Sequence, residues 1–277
     1  MQFLASELLK HENRKEHSRF HVIPCPMEKT VSYGAGTSGG PKAILEASLE
    51  LEKSSICEQG IFTQQEIDCS ADHKACLSEL RDRVGEVVEA KKMPIVLGGE
   101  HSLSWAAVNG VADVLGQKIG IIQMDAHADL RENYEGNPHS HASVMNLLVA
   151  EGHKLASLGV RALCEQEKNF RQKQGVIFWD GEELFRNQTN HIQLPADFPE
   201  LVYISFDLDG LDPSVMPAVG TPVPGGLTFY QAIDLVKSAL VGRTCVGMDL
   251  VELSPIQGDI VSPFTAACLL QRLMELV

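Results

Sequence analysis

The chain has 277 residues, of which 44% are hydrophobic and 22% are charged, a composition typical of a folded globular protein. Its 23 lysines and arginines stand against 37 aspartates and glutamates, so the formal net charge is −14 at pH 7. This negative charge makes nucleic acid and anionic membrane surfaces poor partners, and it favours a small cationic ligand.

Short apolar runs alternate with longer amphipathic stretches along the chain. We predict strands at Phe20–Cys25, Pro94–Leu97, Ile119–Met124, Leu155–Val160, Val176–Trp179, Leu201–Phe206 and Cys245–Val251. We predict helices at Pro41–Glu52, Ala71–Lys91, Leu103–Leu115, Ser143–Glu151, Glu165–Gln174, Thr228–Leu240 and Ser262–Leu276. In the last helix, Ser262 is expected to act as the cap before Pro263. Alternating strands and helices predict an α/β fold, with a parallel sheet covered by helices on both faces.

Two stretches rich in glycine and proline, Tyr33–Pro41 and Pro213–Gly226, lie between predicted elements. No internal repeat, low-complexity segment or long charged linker accompanies them. We therefore interpret both stretches as active-site loops rather than domain linkers, and we expect one domain over residues 1–277.

Six potential metal ligands follow three of the predicted strands. They are His101, after Pro94–Leu97; Asp125, His127 and Asp129, after Ile119–Met124; and Asp207 and Asp209, after Leu201–Phe206. In extended backbone, alternate side chains share a face, so each of the two spaced groups would point into one small volume. Ligands of open α/β sheets bind at the carboxyl ends of the strands. The sequence therefore predicts a multi-metal site.

The types of ligand indicate the metal and the reaction. Four carboxylates and two imidazoles without a thiolate favour a borderline-hard divalent ion, with manganese fitting best and iron, cobalt or zinc as alternatives. So many carboxylates exceed the needs of one ion, whereas two ions roughly 3.5–4 Å apart share bridging carboxylates. Such a pair supplies hydroxide at neutral pH, which predicts a hydrolase.

Two neighbouring acidic residues are not expected to be ligands. Glu100 lies beside His101, and adjacent strand residues point to opposite faces, so we expect Glu100 to support the site from behind. Asp212 precedes Pro213 and is interpreted as the start of a turn. An EF-hand type of calcium loop beginning at Asp207 is excluded, because its fifth position would be Leu211.

Several segments resemble the signature blocks of the ureohydrolases, the family of arginase, agmatinase, guanidino-acid hydrolases and formiminoglutamase. The three main blocks are Leu97-Gly-Gly-Glu-His-Ser102, Met124-Asp-Ala-His-Ala-Asp129 and Ser205-Phe-Asp-Leu-Asp-Gly-Leu-Asp-Pro213. Lesser matches lie at Val31–Pro41, Gly220–Gly226 and Val251–Pro255. The resemblance spans nearly the whole chain in the expected order. It implies a three-layer α/β/α fold with a mostly parallel central sheet, and a homo-oligomer, either a trimer or a hexamer.

The resemblance also implies how two manganese ions would be held. One ion would bind His101, Asp125, Asp129 and Asp207, and the other would bind Asp125, His127, Asp207 and Asp209. Asp125 and Asp207 would bridge the two ions, and Asp129 would also orient the attacking hydroxide.

Two further positions match residues of the ureohydrolases that act on the substrate. His141 matches the loop histidine that passes a proton to the departing amine, although Ala142 stands where the family usually has glycine. His139 is the competing candidate. Glu252 matches the glutamate that binds the guanidinium group, to which a carboxylate pairs through two parallel hydrogen bonds. Asp249 is a weaker candidate for that role.

The residues after Asp129 are compatible with more than one class of substrate. Arg131 stands where arginases typically have asparagine, and the following residues resemble those of bacterial and archaeal agmatinases. Agmatine ends in an ammonium group, which suits an acidic rim to which Glu132 and Glu135 would contribute. Arg131 would instead suit the carboxylate of a guanidino acid or of formiminoglutamate, or it would pair with a neighbouring glutamate. We expect hydrolysis of agmatine to putrescine and urea, ahead of a guanidino-acid hydrolase, with arginase third.

The sequence disfavours two hypotheses from other functional classes. A metal-binding but inactive family member with a scaffolding role is disfavoured by the complete ligand set together with His141 and Glu252. A deacetylase on the related fold would use one zinc ion and fewer ligands, and the pair Asp207 and Asp209 disfavours it.

The cysteines indicate the compartment. They are scattered, odd in number and without a Cys-x-x-Cys motif: Cys25, Cys57, Cys69, Cys76, Cys164, Cys245 and Cys268. This pattern predicts free thiols in a reducing compartment, without a zinc-ligand spacing. Met1 to Phe20 lacks the apolar core of a signal peptide, and no run reaches the roughly 18 apolar residues of a membrane span. We therefore expect a cytoplasmic protein.

Overall fold

One eight-stranded sheet forms the centre of the computed structural model, which describes all 277 residues. Its strands are β1 (Phe20–Cys25), β2 (Ile61–Thr63), β3 (Met93–Gly98), β4 (Gly120–Met124), β5 (Lys154–Leu158), β6 (Ile177–Trp179), β7 (Leu201–Asp207) and β8 (Thr244–Val251). All neighbouring strands are parallel, in the order β2-β1-β3-β8-β7-β4-β5-β6. The predicted α/β fold class is confirmed.

Nine α-helices connect the strands or pack on them. They are α1 (Gly40–Ala47), α2 (Ser55–Gln59), α3 (His73–Glu89), α4 (Ser104–Leu115), α5 (Val144–Ala150), α6 (Glu165–Gln174), α7 (Gly181–Arg186), α8 (Phe229–Ala239) and α9 (Val261–Met274). Three short 3-10 turns at the carboxyl ends of strands or near the start of α5 also matter for the site: His101–Leu103, His141–Ser143 and Leu208–Gly210. No helix combines the length and the apolar character needed to cross a membrane.

Two apolar clusters lie on opposite faces of the sheet. In β3, Ile95 and Leu97 pack in one cluster with residues of α1, α8 and α9, whereas Val96 packs in the other with residues of α3, α4 and α5. Because adjacent strand residues point to opposite faces, this alternation places helices on both sides of the sheet. The arrangement confirms the three-layer α/β/α architecture and explains why the central strands are apolar almost throughout.

Three short elements lie outside the predicted set. β2 is an edge strand of three residues that pairs only with β1, and the helices α2 and α7 have five and six residues. Segments this short contain too few residues to display the periodicity of a strand or a helix.

The start of α9 differs from the predicted one. The carboxylate of Asp259 accepts hydrogen bonds from the backbone N–H groups of Val261 (2.8 Å) and Ser262 (3.2 Å). The Ser262 hydroxyl itself donates to the same carboxylate. The prediction of Ser262 as the cap is wrong, because an aspartate three residues earlier satisfies the free N–H groups at this end.

The order of the strands creates the place for a ligand. The chain passes from β3 to β4 across two positions of the sheet, and these positions are later filled by β8 and β7. Connections on either side of such a break lead away from each other, which leaves a crevice at the carboxyl ends of the strands.

Candidate active site

Side chains from four neighbouring strands meet at the carboxyl edge of the sheet. His101 lies in the 3-10 turn after β3, Asp125 directly follows β4, Asp207 ends β7 and Glu252 directly follows β8. Asp125 is completely buried, and the other three line a cavity of about 390 Å³. The predicted ligands are therefore brought together, as the ends of the central strands require.

The first group of ligands surrounds His101. Its Nδ1 lies 3.2 Å from Asp125 Oδ2. The same nitrogen lies 2.9 Å from Asp129 Oδ2 and 3.4 Å from Asp207 Oδ2. The ligand atoms of His101, Asp125 and Asp207 all lie within 4.8 Å of one another, which is close enough to hold one metal ion.

The second group surrounds His127. Its Nδ1 lies 2.9 Å from Asp209 Oδ2 and 3.7 Å from Asp125 Oδ1. The ligand atoms of Asp125, His127 and Asp209 also lie within 4.8 Å of one another. Asp125 belongs to both groups, whereas Asp207 belongs only to the group around His101, so bridging by Asp207 stays a prediction.

The hydrogen bonds of His101 fit a metal ligand. Its Nε2 lies 2.9 Å from the hydroxyl oxygen of Ser205, and that hydroxyl donates to Asp249 Oδ1, also at 2.9 Å. Because Nε2 is directed to Ser205, Nδ1 is the nitrogen that faces the carboxylates. This Nδ1 is buried and has no hydrogen-bond partner. Metal-bound histidines are oriented in this way, through the nitrogen that does not bind the ion.

Asp249 therefore lies behind His101. It is 1% exposed and does not line the cavity, so it is not placed to meet a guanidinium group. Its role in the structure is to hold Ser205, which in turn holds the imidazole.

Burial and the crowding of carboxylates together determine the pKa values of the site residues. Burial, followed by the charge of Asp125, raises the pKa of Asp129 to about 7. Burial lowers the pKa of His127, but contacts with Asp125 and Asp209 outweigh it and raise that pKa to about 12. Without cations the site thus keeps protons on groups that a divalent ion would need free. Metal binding would therefore release protons.

Two site residues have left-handed backbone. Asp129 has φ of 52° and Glu252 has φ of 68°, a region that non-glycine residues rarely adopt. The carbonyl of Asp129 accepts hydrogen bonds from the backbone N–H groups of Met145 and Asn146, both at 3.1 Å. Asp129 thus reaches the site by a turn held against the start of α5, and not by the extended backbone that its spacing suggested.

Glu252 presents a carboxylate to the cavity. Its Oε1 accepts a hydrogen bond from the backbone N–H of His101 at 2.6 Å. Burial nevertheless raises the pKa of Glu252 to about 8. A cationic guanidinium group beside this carboxylate would favour the ionised form and pair with it.

Of the two candidate loop histidines, His141 lines the cavity and His139 does not. The ring of His139 packs against Trp105, with the ring centroids 5.1 Å apart. His141 Nδ1 lies 3.2 Å from the hydroxyl oxygen of Thr30, and burial lowers the pKa of the ring. The structure therefore places His141, and not His139, where a substrate would be.

Arg131 lies at the mouth of the cavity. Arg131 is exposed and forms no ion pair, and its guanidinium carbon lies 5.8 Å from the ring centroid of Tyr134. Glu132 and Glu135 are exposed and do not line the cavity. The pairing of Arg131 with a neighbouring glutamate, one of the alternatives for this residue, is therefore not formed.

Some residues that shape the site were not singled out from the sequence. The Arg161 guanidinium donates to the carbonyls of Asp209 and Val223, both at 2.7 Å, and so joins two loops. The Glu28 carboxylate accepts hydrogen bonds from Gly36 and Ser38 and holds the glycine-rich loop. Neither Arg161 nor Glu28 belongs to a sequence motif. Their spacing from the residues they contact therefore gave no reason to single them out.

Comparisons with known proteins agree with this geometry. The model of the arginase family matches residues 18–275. The N(1)-aminopropylagmatine ureohydrolase of Synechocystis sp. is 34% identical over 266 residues, which is 91% of this chain and 87% of that protein. The agmatinase of Pyrococcus horikoshii is 32% identical over 258 residues, 90% of this chain and 88% of that protein. The structure of arginase from Medicago truncatula superposes with a TM-score of 0.83 at 28% identity, over 93% and 87% of the two chains.

Proposed function

Because the chain belongs to the arginase family, whose members are binuclear-metal enzymes, we propose that it is a manganese-dependent hydrolase that cleaves a guanidino C–N bond and releases urea. One observation supports this most directly. The buried Nδ1 of His101 has no hydrogen-bond partner and faces three carboxylate oxygens, in the same cavity as Glu252. An imidazole nitrogen directed at three carboxylates, beside a further carboxylate that suits a guanidinium group, supports metal-assisted hydrolysis of a guanidine.

The proposed ligands extend the two groups of side chains, adding Asp129 to the group around His101 and Asp207 as a second bridge to the group around His127. His101, Asp125, Asp129 and Asp207 would hold one ion, and Asp125, His127, Asp207 and Asp209 would hold the other. When bound, such a pair of divalent ions activates water for attack at neutral pH and stabilises negative charge in the transition state.

The remaining steps belong to side chains of the protein. Glu252 binds the guanidinium group through paired hydrogen bonds and fixes its carbon over the site. Asp129 orients the attacking water. His141 gives a proton to the departing amine, which leaves as the C–N bond breaks.

Agmatine is the proposed substrate, and its aminopropyl derivative is the second candidate. Both are cationic and lack a carboxylate, which suits a chain of net charge −14. The Pyrococcus relative is named for agmatine, and the Synechocystis relative for N(1)-aminopropylagmatine. The free guanidinium of Arg131 at the mouth supports a guanidino acid, arginine or formiminoglutamate as the alternative.

The protein is also proposed to act as a homo-oligomer, a trimer or a hexamer, in the cytoplasm. An apolar stretch supports assembly, since Ile260 is 81% exposed and Val261 is 61% exposed at the start of α9. The free state of all seven cysteines is consistent with a reducing compartment.

A panel of substrates tests the proposed function. The manganese-loaded protein is incubated with agmatine, N(1)-aminopropylagmatine, arginine, guanidinobutyrate and guanidinopropionate, and urea is measured; ammonia and formamide are measured with formiminoglutamate. We expect the highest kcat/KM for agmatine or its aminopropyl derivative. Bound manganese without release of any product would instead support a scaffolding role.

Arg131→Ala separates the two substrate classes. The change should leave urea release from agmatine within about threefold, because a cationic amine gains nothing from a guanidinium. It should weaken use of a guanidino acid about tenfold or more if Arg131 binds the carboxylate.

A further inference from the structure

We propose that Thr30 and Glu100 form a positioning relay that keeps a hydrogen on Nδ1 of His141, so that Nε2 is the nitrogen that exchanges a proton with the substrate. The inference rests on the proposed function, since it concerns how His141 protonates the departing amine. Neither residue touches the metal ligands' donor atoms or the reacting groups; both act through His141.

The Thr30 hydroxyl has three partners. Its oxygen lies 2.8 Å from Glu100 Oε1, 3.0 Å from the backbone nitrogen of His141 and 3.2 Å from Nδ1 of the same histidine. A hydroxyl has one hydrogen to donate and two lone pairs to accept with. The direction of that single hydrogen therefore decides which form of the imidazole the site stabilises.

Glu100 determines that direction. It is completely buried, and its Oε2 accepts hydrogen bonds from the backbone N–H groups of Lys29 (2.5 Å) and Thr30 (2.6 Å). Its Oε1 accepts from the hydroxyls of Ser102 and Thr30. Every hydrogen-bond partner of the Glu100 carboxylate is thus a donor, so the hydrogen of the Thr30 hydroxyl points to Glu100.

The tautomer of His141 follows. With its hydrogen committed to Glu100, the Thr30 oxygen accepts from the backbone N–H of His141 and from Nδ1–H. The ring is also held from the side by Tyr134, whose centroid lies 5.3 Å away. Burial lowers the pKa of His141, so the ring rests neutral, and a neutral imidazole needs its hydrogen on the correct nitrogen.

This arrangement suits a proton shuttle. The neutral ring accepts a proton at Nε2 as water attacks the guanidinium carbon. When the C–N bond breaks, its electron pair passes to the amine nitrogen, and that nitrogen takes the proton from Nε2. The hydrogen on Nδ1 stays bound to that nitrogen and hydrogen-bonded to the Thr30 oxygen throughout, so the ring returns to the tautomer in which it began.

Thr30→Val and Thr30→Ser are the matched variants, because valine keeps the shape of threonine without the hydroxyl and serine keeps the hydroxyl. In the manganese-loaded enzyme with its best substrate, Thr30→Val should lower kcat about tenfold and leave KM within about twofold. Manganese content should match wild type. Thr30→Ser should restore most of the lost rate. Wild-type kcat in Thr30→Val would overturn the relay.

A double-mutant cycle separates positioning from general support of the fold. In a His141→Asn background, Thr30→Val should cause no further loss, because the group through which Thr30 acts is absent. The same tenfold loss in both backgrounds would overturn the relay and indicate a structural role. Wild-type enzyme that releases no product from the whole panel would instead refute the proposed function.

The tautomer can be observed without activity. The full chain is labelled with 15N-histidine, loaded with diamagnetic zinc and measured by NMR. The His141 ring signals are assigned by their loss in His141→Asn. They should show the tautomer with hydrogen on Nδ1. Thr30→Val should shift it toward Nε2–H. A wild-type ring in the Nε2–H form would overturn the relay whatever the substrate proves to be.

Discussion

Asp125 is the residue on which both proposed metal ions depend. Its Oδ2 faces His101 and its Oδ1 faces His127, so one carboxylate serves both groups of ligands. Asp125→Asn should reduce metal content from two ions per chain to fewer than one and lower kcat at least about a thousandfold. Elemental analysis of the dialysed protein measures the first effect.

A matched change elsewhere controls for loss of charge. Asp234, in α8, does not line the cavity, so Asp234→Asn should keep both ions and full turnover. Two ions and wild-type turnover in Asp125→Asn would contradict the two-metal model.

His141 and His139 give opposite predictions although they are two residues apart. His141→Ala should lower turnover about a hundredfold with metal content unchanged, since general acid catalysis contributes at least this much. His139→Ala should keep turnover, because its ring packs against Trp105 outside the cavity. Steady-state kinetics on both variants tests the pair, and a larger loss in His139→Ala would reverse the assignment.

The metal ligands could be predicted from the sequence, because each follows an apolar strand by a few residues. The carboxyl ends of parallel strands meet at one edge of the sheet. The sequence did not indicate that Thr30 and Ser205 hold the histidines of the site. Thr30 bonds to a histidine 111 positions away, and Ser205 to one 104 positions away. A hydroxyl in a loop or a strand has many ordinary roles, and only the folded chain shows which partner it meets.

At the scale of elements, periodicity predicted the long strands and helices well, and α6 has the predicted bounds. What it could not supply was the backbone at the strand ends. Asp129 turns into left-handed conformation because N–H groups of α5 hold its carbonyl, and Asp209 lies in a 3-10 turn in which its N–H donates to Asp207. These turns depend on tertiary partners rather than on local propensity.

His153, between α5 and β5, makes the stability of this region depend on pH. Burial, followed by the charge of Lys118, lowers its pKa to about 4 from an ordinary value of 6.5. The unfolded chain therefore binds a proton between pH 6.5 and 4 that the folded chain does not. The free energy of unfolding is therefore highest above pH 6.5 and falls as the pH drops from 6.5 to 4, because the unfolded chain takes up this proton first.

His153→Gln removes this contribution. Urea unfolding at several pH values should show a shallower loss of stability between pH 6.5 and 4 for the variant than for wild type. The exposed His191→Gln is the matched control, and its curve should run parallel to that of wild type. Parallel curves for His153→Gln would refute the prediction.

At the scale of the whole molecule, the order of the strands in the sheet could not be predicted from the sequence pattern. Alternating elements predict a parallel sheet, but they do not reveal that β8 and β7 enter between β3 and β4. That insertion brings the ends of four strands together around one cavity. Strand order depends on which apolar faces pack in three dimensions, and the central strands β3, β8, β7 and β4 are all largely apolar, so their composition does not order them.

The net charge of −14 predicts that ionic strength governs the capture of a cationic substrate. The screening length falls from about 30 Å at 0.01 M salt to about 8 Å at 0.15 M, so long-range attraction is largely lost over this range. We expect kcat/KM for agmatine, a dication, to fall about tenfold, mostly through KM. Guanidinobutyrate, a zwitterion, is the matched control, as a substrate or as a competitive inhibitor. Its kcat/KM, or its inhibition constant, should change by less than about twofold over the same range of salt. Equal responses of the two molecules would show that the field of the whole protein does not guide binding, and that recognition depends on contacts within the cavity alone.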